Sequence, residues 1–150
     1  MAFVILRLGS FLYRACDSVV GAGIFYIVAG YVMKIRNEYT CPLELTHDIT
    51  KGKWKPIILW QLGKKVMSLS QLEKDIVGIT QKMLLEHLGE LTDFWIVAKR
   101  TFDGYPLKVE YSLTERGEKL LEAITIMQGV GVDLMKENGM DDILRANGFI

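Results

Sequence analysis

The sequence contains only two cysteine and two histidine residues among its 150 positions. Cys16 and Cys41 do not form the paired framework that stabilises small secreted domains, so we expect the chain to fold in a reducing compartment, the cytoplasm. His47 and His87 stand alone, and no cysteine or histidine cluster has the spacing of metal ligands. These absences exclude the usual zinc sites, and we expect no cofactor.

Net charge is also absent, because 18 basic side chains balance 18 acidic ones. Composition alone therefore does not indicate a nucleic-acid partner. The charges are unevenly distributed, however: basic residues, Lys55 among them, outnumber acids between positions 34 and 108, and acids predominate from position 109 onward. This split fits a chain with one DNA-facing half, and it equally fits ordinary solvated helix faces.

The sequence has no paired carboxylates, catalytic triad, phosphate-binding loop or metal-ligand set. Each of these arrangements places an acid, base, nucleophile or electrophile where a reaction needs it. We therefore expect the protein not to be an enzyme.

Residues 1–32 are apolar, contain several glycines and carry almost no charge. Their uncharged run is short for a membrane-spanning helix, which needs about 20 apolar residues. No clear signal-peptide cleavage site follows it. We expect translation to start at Met33, with residues 1–32 an upstream extension and residues 33–150 the folded domain. A signal-like segment or a membrane anchor is the alternative.

Helix signals dominate the first part of the remaining chain. Ser70 and Glu73 have the spacing of a capping box, and Gly78 predicts a turn after the helix that they begin. Thr80 is a suitable N-cap for the next helix, which places its buried leucines on one face. The predicted helices before the strands are 43–50, 54–62 ended by Gly63, 71–77, and the one that carries Leu84, Leu88 and Leu91.

Two strands and a long helix follow. Apolar and polar residues alternate in Trp95–Phe102 and in Leu107–Leu113, which predicts a half-buried antiparallel hairpin with its turn at Asp103–Pro106. Thr114 is a suitable N-cap for a helix that extends to about Met135. The inward-facing residues predicted for that helix are Leu120, Leu121, Ile124, Met127 and Val130, and a weak last helix is predicted at 141–146.

A helix pair followed directly by a hairpin is the order of a winged helix-turn-helix, an α+β fold that places one helix in the DNA major groove. The first turn of the helix after Thr80 offers free N–H groups for phosphate and polar side chains for base edges. The hairpin would act as a wing against the sugar-phosphate backbone. The candidate DNA-binding residues are Ser70, Gln71, Thr80, Gln81, Lys82, Lys99, Arg100 and Lys108.

Short motifs in this order also occur in a known family. Four segments carry the resemblance: Cys41-Pro42, the triplet that begins at Gly52, the segment from Gly78 to Leu84, and the segment from Val109 to Thr114. Through them the chain closely resembles the HxlR family of bacterial winged-helix transcriptional regulators, which are MarR-like. The resemblance covers roughly residues 34–135. It implies a homodimer, with N- and C-terminal helices added for dimerisation, that binds a partly palindromic operator in double-stranded DNA and represses or activates nearby genes.

The resemblance also implies a role for Cys41, since several members of the family sense oxidants or electrophiles with a cysteine at this position. Cys41 precedes Pro42 at a predicted helix N-terminus, where the helix dipole favours a thiolate. The alternative is that Cys41 is a small residue that fills the dimer interface. If Met33 is the start, Cys41 is the only thiol, and only a link to a second copy, a mixed disulfide or alkylation remains.

Two further functions remain open. One is a regulator of the same fold that binds a small effector between the long helix and the DNA-binding part. The other is a membrane-tethered interaction module that uses residues 1–32, although we do not expect a membrane partner. The aromatic residues that could line an effector pocket are Trp54, Trp60, Phe94, Trp95 and Tyr111, and their helical spacing favours plain core packing for the first two.

Overall fold

The computed structural model describes residues 25–28, 31–34, 36, 38–105 and 107–150, and for residues 25–28 and 31–34 it describes the backbone alone. Cys16, Pro106 and most of the predicted extension lie outside the described residues. In chain order the elements are β1 (Phe25–Val28), β2 (Tyr31–Lys34), α1 (Pro42–Thr50), α2 (Trp54–Lys64), β3 (Met67–Ser68), α3 (Leu69–Asp75), α4 (Gln81–Asp93), β4 (Val97–Phe102), β5 (Lys108–Leu113), α5 (Glu115–Glu137) and α6 (Asp141–Ala146).

β1 and β2 form a two-stranded antiparallel sheet in which Phe25 lies opposite Lys34 and Val28 lies opposite Tyr31. Met33 lies within β2, so the predicted boundary between extension and domain falls inside a strand. The start of translation stays a prediction. Among the described residues, no helix is both long enough and apolar enough to cross a membrane.

The second sheet has the strand order β3-β5-β4, with both pairings antiparallel. Its inner face, α2, α3, α4 and the first half of α5 enclose one apolar core. The side chains of this core are Ile58, Leu59, Leu62, Met67, Leu72, Ile76, Ile79, Leu84, Leu88, Leu91, Ile96, Val97, Tyr111 and Ile124. The predicted inward face of α4 is thereby confirmed. This core fixes the positions of α4 and of the hairpin.

The capping box lies two residues earlier than predicted. Ser68, not Ser70, is the N-cap of α3, and its partner is Gln71 rather than Glu73. Met67 and Ser68 pair with β5, which holds Ser68 in the extended conformation that an N-cap requires. Long-range pairing therefore decided between two serines of equal local suitability.

Gly63 does not end α2, which continues to Lys64. A Cβ atom on Gly63 would lie 2.3 Å from Cδ2 of Leu121, so this glycine allows α2 to pack closely against α5. The prediction of a helix end at Gly63 was wrong, because here the missing side chain serves helix packing. Gly78 does provide the predicted turn, with a positive φ of 89°.

Burial along β4 does not alternate as predicted. Val97 is buried at the base of the strand, but the next four residues are exposed and Phe102 is only half-buried. The hairpin extends beyond the core, so among the described residues no layer covers either face of its outer part. Trp95, predicted to begin this strand, precedes it, with a positive φ of 56° and a side chain that is 59% exposed.

Thr114 is the predicted N-cap of α5, and its hydroxyl accepts a hydrogen bond from the Gly117 N–H. Leu120 and Leu121 are half-buried and Ile124 is buried, but Met127 and Val130 are exposed in this chain. The prediction of inward positions was wrong for these last two residues. α5 is longer than the core beneath it, so these two positions of its second half lie beyond that core among the described residues.

Candidate nucleic-acid interface

The N-terminus of α4 is open to solvent. Thr80 is the N-cap, and its hydroxyl accepts a hydrogen bond of 3.3 Å from the Met83 N–H. Gln81 and Lys82 follow in the first turn, are exposed, and have no acidic residue beside them in that turn. Unpaired N–H groups and the positive end of the helix dipole favour an anion here. This end of α4 therefore combines free backbone N–H donors with exposed polar side chains.

Ser70 and Gln71 lie in the first turn of α3 and are exposed, as the sequence suggested. The Gln71 side-chain oxygen, however, accepts a hydrogen bond of 2.8 Å from the Ser68 N–H. Its side-chain amide group therefore sits at the helix end as part of the capping box. Contact of Ser70 or Gln71 with DNA stays a prediction.

The three basic residues of the hairpin lie on different faces. Arg100 is paired with Glu110 across the strands, whereas Lys99 is paired with Tyr111, which is buried. Side chains alternate between the two faces of a sheet, so Lys99 and Arg100 project in opposite directions. Lys108 shares the face of Arg100, because it lies two residues from Glu110 on the same strand. Arg100 and Lys108 thus form a basic pair from which Lys99 is separate.

Phe102 lies beside both cations and is not among the predicted DNA-binding residues. The Arg100 guanidinium lies 4.7 Å from the centre of the Phe102 ring, and the Lys108 ammonium lies 5.2 Å from it. The Lys108 ammonium also forms an ion pair of 2.7 Å with Glu110. The two cations, which strand alternation places on one side of the hairpin, therefore both lie near this ring. The alternation of residues 100, 102, 108 and 110 is the sequence signal that would have shown this cluster.

Lys55 does not belong to the basic surface to which its sequence position assigned it. Its side chain is 5% exposed, and its ammonium lies 2.6 Å from Glu90 of α4. His87 Nδ1 lies 3.8 Å from the same Glu90 oxygen, and neither atom has a hydrogen bond of normal geometry among the described residues. The Lys55–Glu90 contact is therefore an ion pair rather than a directional hydrogen bond. It ties the C-terminal half of α4 to α2.

Two acidic side chains, Glu90 and Asp93, lie near the C-terminal end of α4. Burial raises the pKa of the Asp93 carboxyl, and the negative charge of Glu90 raises it further. The last turn of the helix contains no basic residue that would offset these charges. Lys55, reaching across from α2, is therefore the cation that compensates Glu90.

Cys41 is the N-cap of α1, is exposed, and makes no capping hydrogen bond through its side chain. Arg36, the cation near this turn, forms ion pairs with Asp48 at 2.9 Å and Glu44 at 3.4 Å. A hydrogen bond from the Thr40 hydroxyl is the main reason why the pKa of the Glu44 carboxyl lies below its usual value. Arg36 is therefore paired with two carboxylates, and the positive end of the α1 dipole lies beside Cys41.

An open apolar groove of about 1190 Å³ lies between α1, α2, α5 and the C-terminal residues. Its apolar lining includes Leu43, Trp54, Ile57, Trp60, Met127 and Phe149. The predicted set of five pocket aromatics is not gathered there. Phe94 and Trp95 do not line the groove and Tyr111 is buried in the core. Trp54 and Trp60 do line the groove, and both are half-buried, so they are neither fully buried core residues nor free surface residues.

The profile of the HxlR-like helix-turn-helix family matches residues 49–139. A protein of Fusobacterium mortiferum named MalR, described as a regulatory protein, is 41% identical over 97 residues, covering 64% of this chain and 92% of that protein. A MarR-family transcriptional regulator from Porphyromonas gingivalis superposes with a TM-score of 0.60 and 32% identity, covering 64% of this chain and 94% of that one.

The redox regulator HypR, in its oxidised form, superposes with a TM-score of 0.59 and 35% identity, covering 62% of this chain and 96% of that one. These proteins are described as regulators, which points to a role outside catalysis. The predicted resemblance and the predicted α+β winged helix-turn-helix fold are both confirmed. The chain belongs to the HxlR-like helix-turn-helix family of transcriptional regulators.

Proposed function

We propose that two copies of this chain bind one operator, with α4 of each copy in the major groove of a half-site. The observation that carries this proposal is the first turn of α4, where exposed Gln81 and Lys82 follow an N-cap with no neighbouring acid. Gln can pair with adenine through two hydrogen bonds, and Lys can reach guanine or a phosphate. Arg100 and Lys108 on the hairpin supply backbone contacts.

Replacing Gln81 and replacing Lys82 should weaken DNA binding in different ways. Gln81→Ala is expected to weaken binding to the selected operator by roughly tenfold or more, with little change on unrelated DNA, because a base contact specifies sequence. Lys82→Ala should weaken binding to all sequences and reduce the salt dependence by about one unit if its partner is a phosphate. Fluorescence anisotropy on both duplexes at several salt concentrations measures both effects. Unchanged operator preference in Gln81→Ala would contradict the assignment.

The exposed apolar surface supports a dimer. On α5, the apolar stripe formed by Ile126, Met127, Val130 and Leu134 is more than half exposed at every position, and Leu43 of α1 is 74% exposed. These residues border or continue the apolar groove, which is larger than the ligand pockets of most small effectors. A second copy of the same helices would cover them. The two copies of α4 would then need to lie roughly 34 Å apart to reach successive half-sites.

Val130→Glu is expected to convert a dimer into a monomer, because the variant would place a carboxylate in an apolar interface. We expect the dimer dissociation constant to rise at least about tenfold, with a matching loss of affinity for DNA that carries two half-sites. Analytical ultracentrifugation measures the first effect. Thr125→Glu, at an exposed position of α5 outside the apolar stripe, is the matched control and should remain dimeric. A dimeric Val130→Glu protein would place the interface elsewhere.

We further propose that Cys41 makes this regulator sensitive to oxidants or electrophiles. The support is its exposure, its place at the N-terminus of α1 beside the groove, and the likeness of the chain to a protein named as a redox regulator. Disulfide formation or alkylation at this position would alter the interface and hence the distance between the two α4 helices.

The full chain is expected to lose operator affinity by about fivefold or more when it is treated with diamide, and a reducing thiol should restore it. Cys41→Ser should bind the operator like the wild type and ignore diamide. Cys16→Ser is the matched control and should respond like the wild type. A diamide response that persists in Cys41→Ser would refute the proposal, and a wild type that ignores diamide would move the effector site to the apolar groove.

A further inference from the structure

Leu85 breaks the polar character of the outer face of α4. Its side chain is 46% exposed, whereas Leu84, Leu88 and Leu91 of the same helix are buried. It lies one turn beyond Gln81 and Lys82, at the i+4 and i+3 positions that share a helix face. The face with the DNA-reading residues therefore carries one large apolar side chain among hydrogen-bonding ones.

The next position along this row is Gly89. A Cβ atom added there would meet no heavy atom within 4 Å, so the glycine is not required by packing against the described parts of the chain. Along this row, Gln81 thus has a polar side chain, Leu85 has an apolar side chain, and Gly89 has no side chain. No long or charged side chain of this row covers Leu85 on its C-terminal side.

The spacing relates Leu85 to a particular part of a half-site. Four residues of α-helix advance about 6 Å, and base pairs are stacked about 3.4 Å apart. Leu85 would therefore face a base pair one or two steps from the pair that Gln81 contacts. In the major groove the apolar group that a base pair offers is the 5-methyl of thymine.

We propose that Leu85 is a specificity-determining residue that packs against a thymine 5-methyl group one or two base pairs from the Gln81 contact. The inference rests on the proposed function, because it requires α4 to lie in the major groove. It adds to that function a second, apolar means of reading sequence. Leucine gains free energy here only where a methyl group covers it, so the contact selects thymine over cytosine at that position.

The test replaces thymines of the selected operator by deoxyuridine, one at a time, which removes the methyl group and leaves the hydrogen-bonding pattern intact. For the wild-type chain we expect one replacement in each half-site to weaken binding roughly fourfold, the factor that corresponds to burial of one methyl group. Leu85→Ala should bind the unmodified operator more weakly and should not distinguish thymine from deoxyuridine at that position. Alanine favours helix, so this variant is expected to fold.

Val77→Ala is the matched control, because Val77 is an apolar residue of the turn before α4 and is 91% exposed. This variant should keep the deoxyuridine penalty of the wild type. The proposal is overturned if no replacement weakens wild-type binding, or if Leu85→Ala keeps the penalty. Failure of the proposed function is distinguishable, since in that case Gln81→Ala would also leave operator preference unchanged.

Discussion

Gly117→Ala is expected to lower the free energy of unfolding by about 1–3 kcal/mol, as overpacking of a tight site does. A Cβ atom on Gly117 would lie 2.2 Å from the backbone oxygen of Ile96. That oxygen already accepts hydrogen bonds from the N–H and the hydroxyl of Thr114. It cannot move away without loosening the junction between the hairpin and α5. The steric cost exceeds the gain of about 1 kcal/mol that alanine normally brings to a helix interior.

Gly129→Ala is the matched control, because Gly129 lies in the same helix and an added Cβ there meets nothing within 4 Å. This second variant should be stabilised by about 0.5–1 kcal/mol. Urea denaturation of both proteins measures the difference. If Gly117→Ala proved as stable as the wild type, the close approach of α5 to the hairpin would be wrong.

Lys55→Met is expected to lower the free energy of unfolding by roughly 2–3 kcal/mol. Removing one partner of a buried ion pair typically costs about 3–5 kcal/mol, because the other charge stays buried without compensation. The Glu90 side chain retains 21% exposure, and water there reduces the cost. The nearby Asp93 carboxyl adds repulsion, and the last turn of α4 contains no basic residue that would relieve it.

The double variant Lys55→Met/Glu90→Leu should recover most of the lost stability, since apolar residues of similar volume often replace a buried ion pair at little cost. Lys74→Met, at an exposed position of α3, should change stability by less than about 0.5 kcal/mol. Equal stability of Lys55→Met and Lys74→Met would show that the 2.6 Å contact between Lys55 and Glu90 contributes nothing. A failure of the double variant to recover would assign the loss to packing.

Local signals in the sequence were sufficient for the helices and strands of the DNA-binding part. Thr80 caps α4 and Thr114 caps α5 as predicted, because each hydroxyl precedes a clear apolar period and has no competing cap beside it. Ser68 and Ser70 were not distinguishable in this way. The choice depends on the pairing of Met67 and Ser68 with β5, a contact across more than 40 positions that no local pattern contains.

The sequence predicts burial less well for residues whose contact partners lie far away along the chain, whether these residues are charged or apolar. Lys55 has the same local character as its exposed lysine neighbours, and only Glu90 on another helix makes it a buried residue. Met127 and Val130 continue the apolar period of α5, but the helix extends past the core that would bury them. Met127 and Val130 do follow the helical spacing of the buried residues, and in the proposed dimer a second copy of the chain would cover them.

The sequence predicts which exposed polar residues make up the candidate site, but it does not predict how their side chains are arranged in space. Residues 80–82 lie together because they share one turn of helix. Lys99 and Arg100 are adjacent in sequence and project from opposite faces of the hairpin, which the alternation of strand residues implies. Phe102 shares the face of Arg100 by the same alternation, and the register places it opposite Lys108, which brings the second cation near its ring.

DNA recognition by this chain is tested most directly by comparing its affinity for a duplex selected from random sequence with its affinity for a scrambled duplex of the same composition. The measurement uses the full chain in its reduced form at near-physiological salt. We expect selection to yield two related half-sites about one helical turn apart, and a preference of about 10³ or more for the selected duplex. Equal affinity for the two duplexes would contradict sequence-specific recognition through α4.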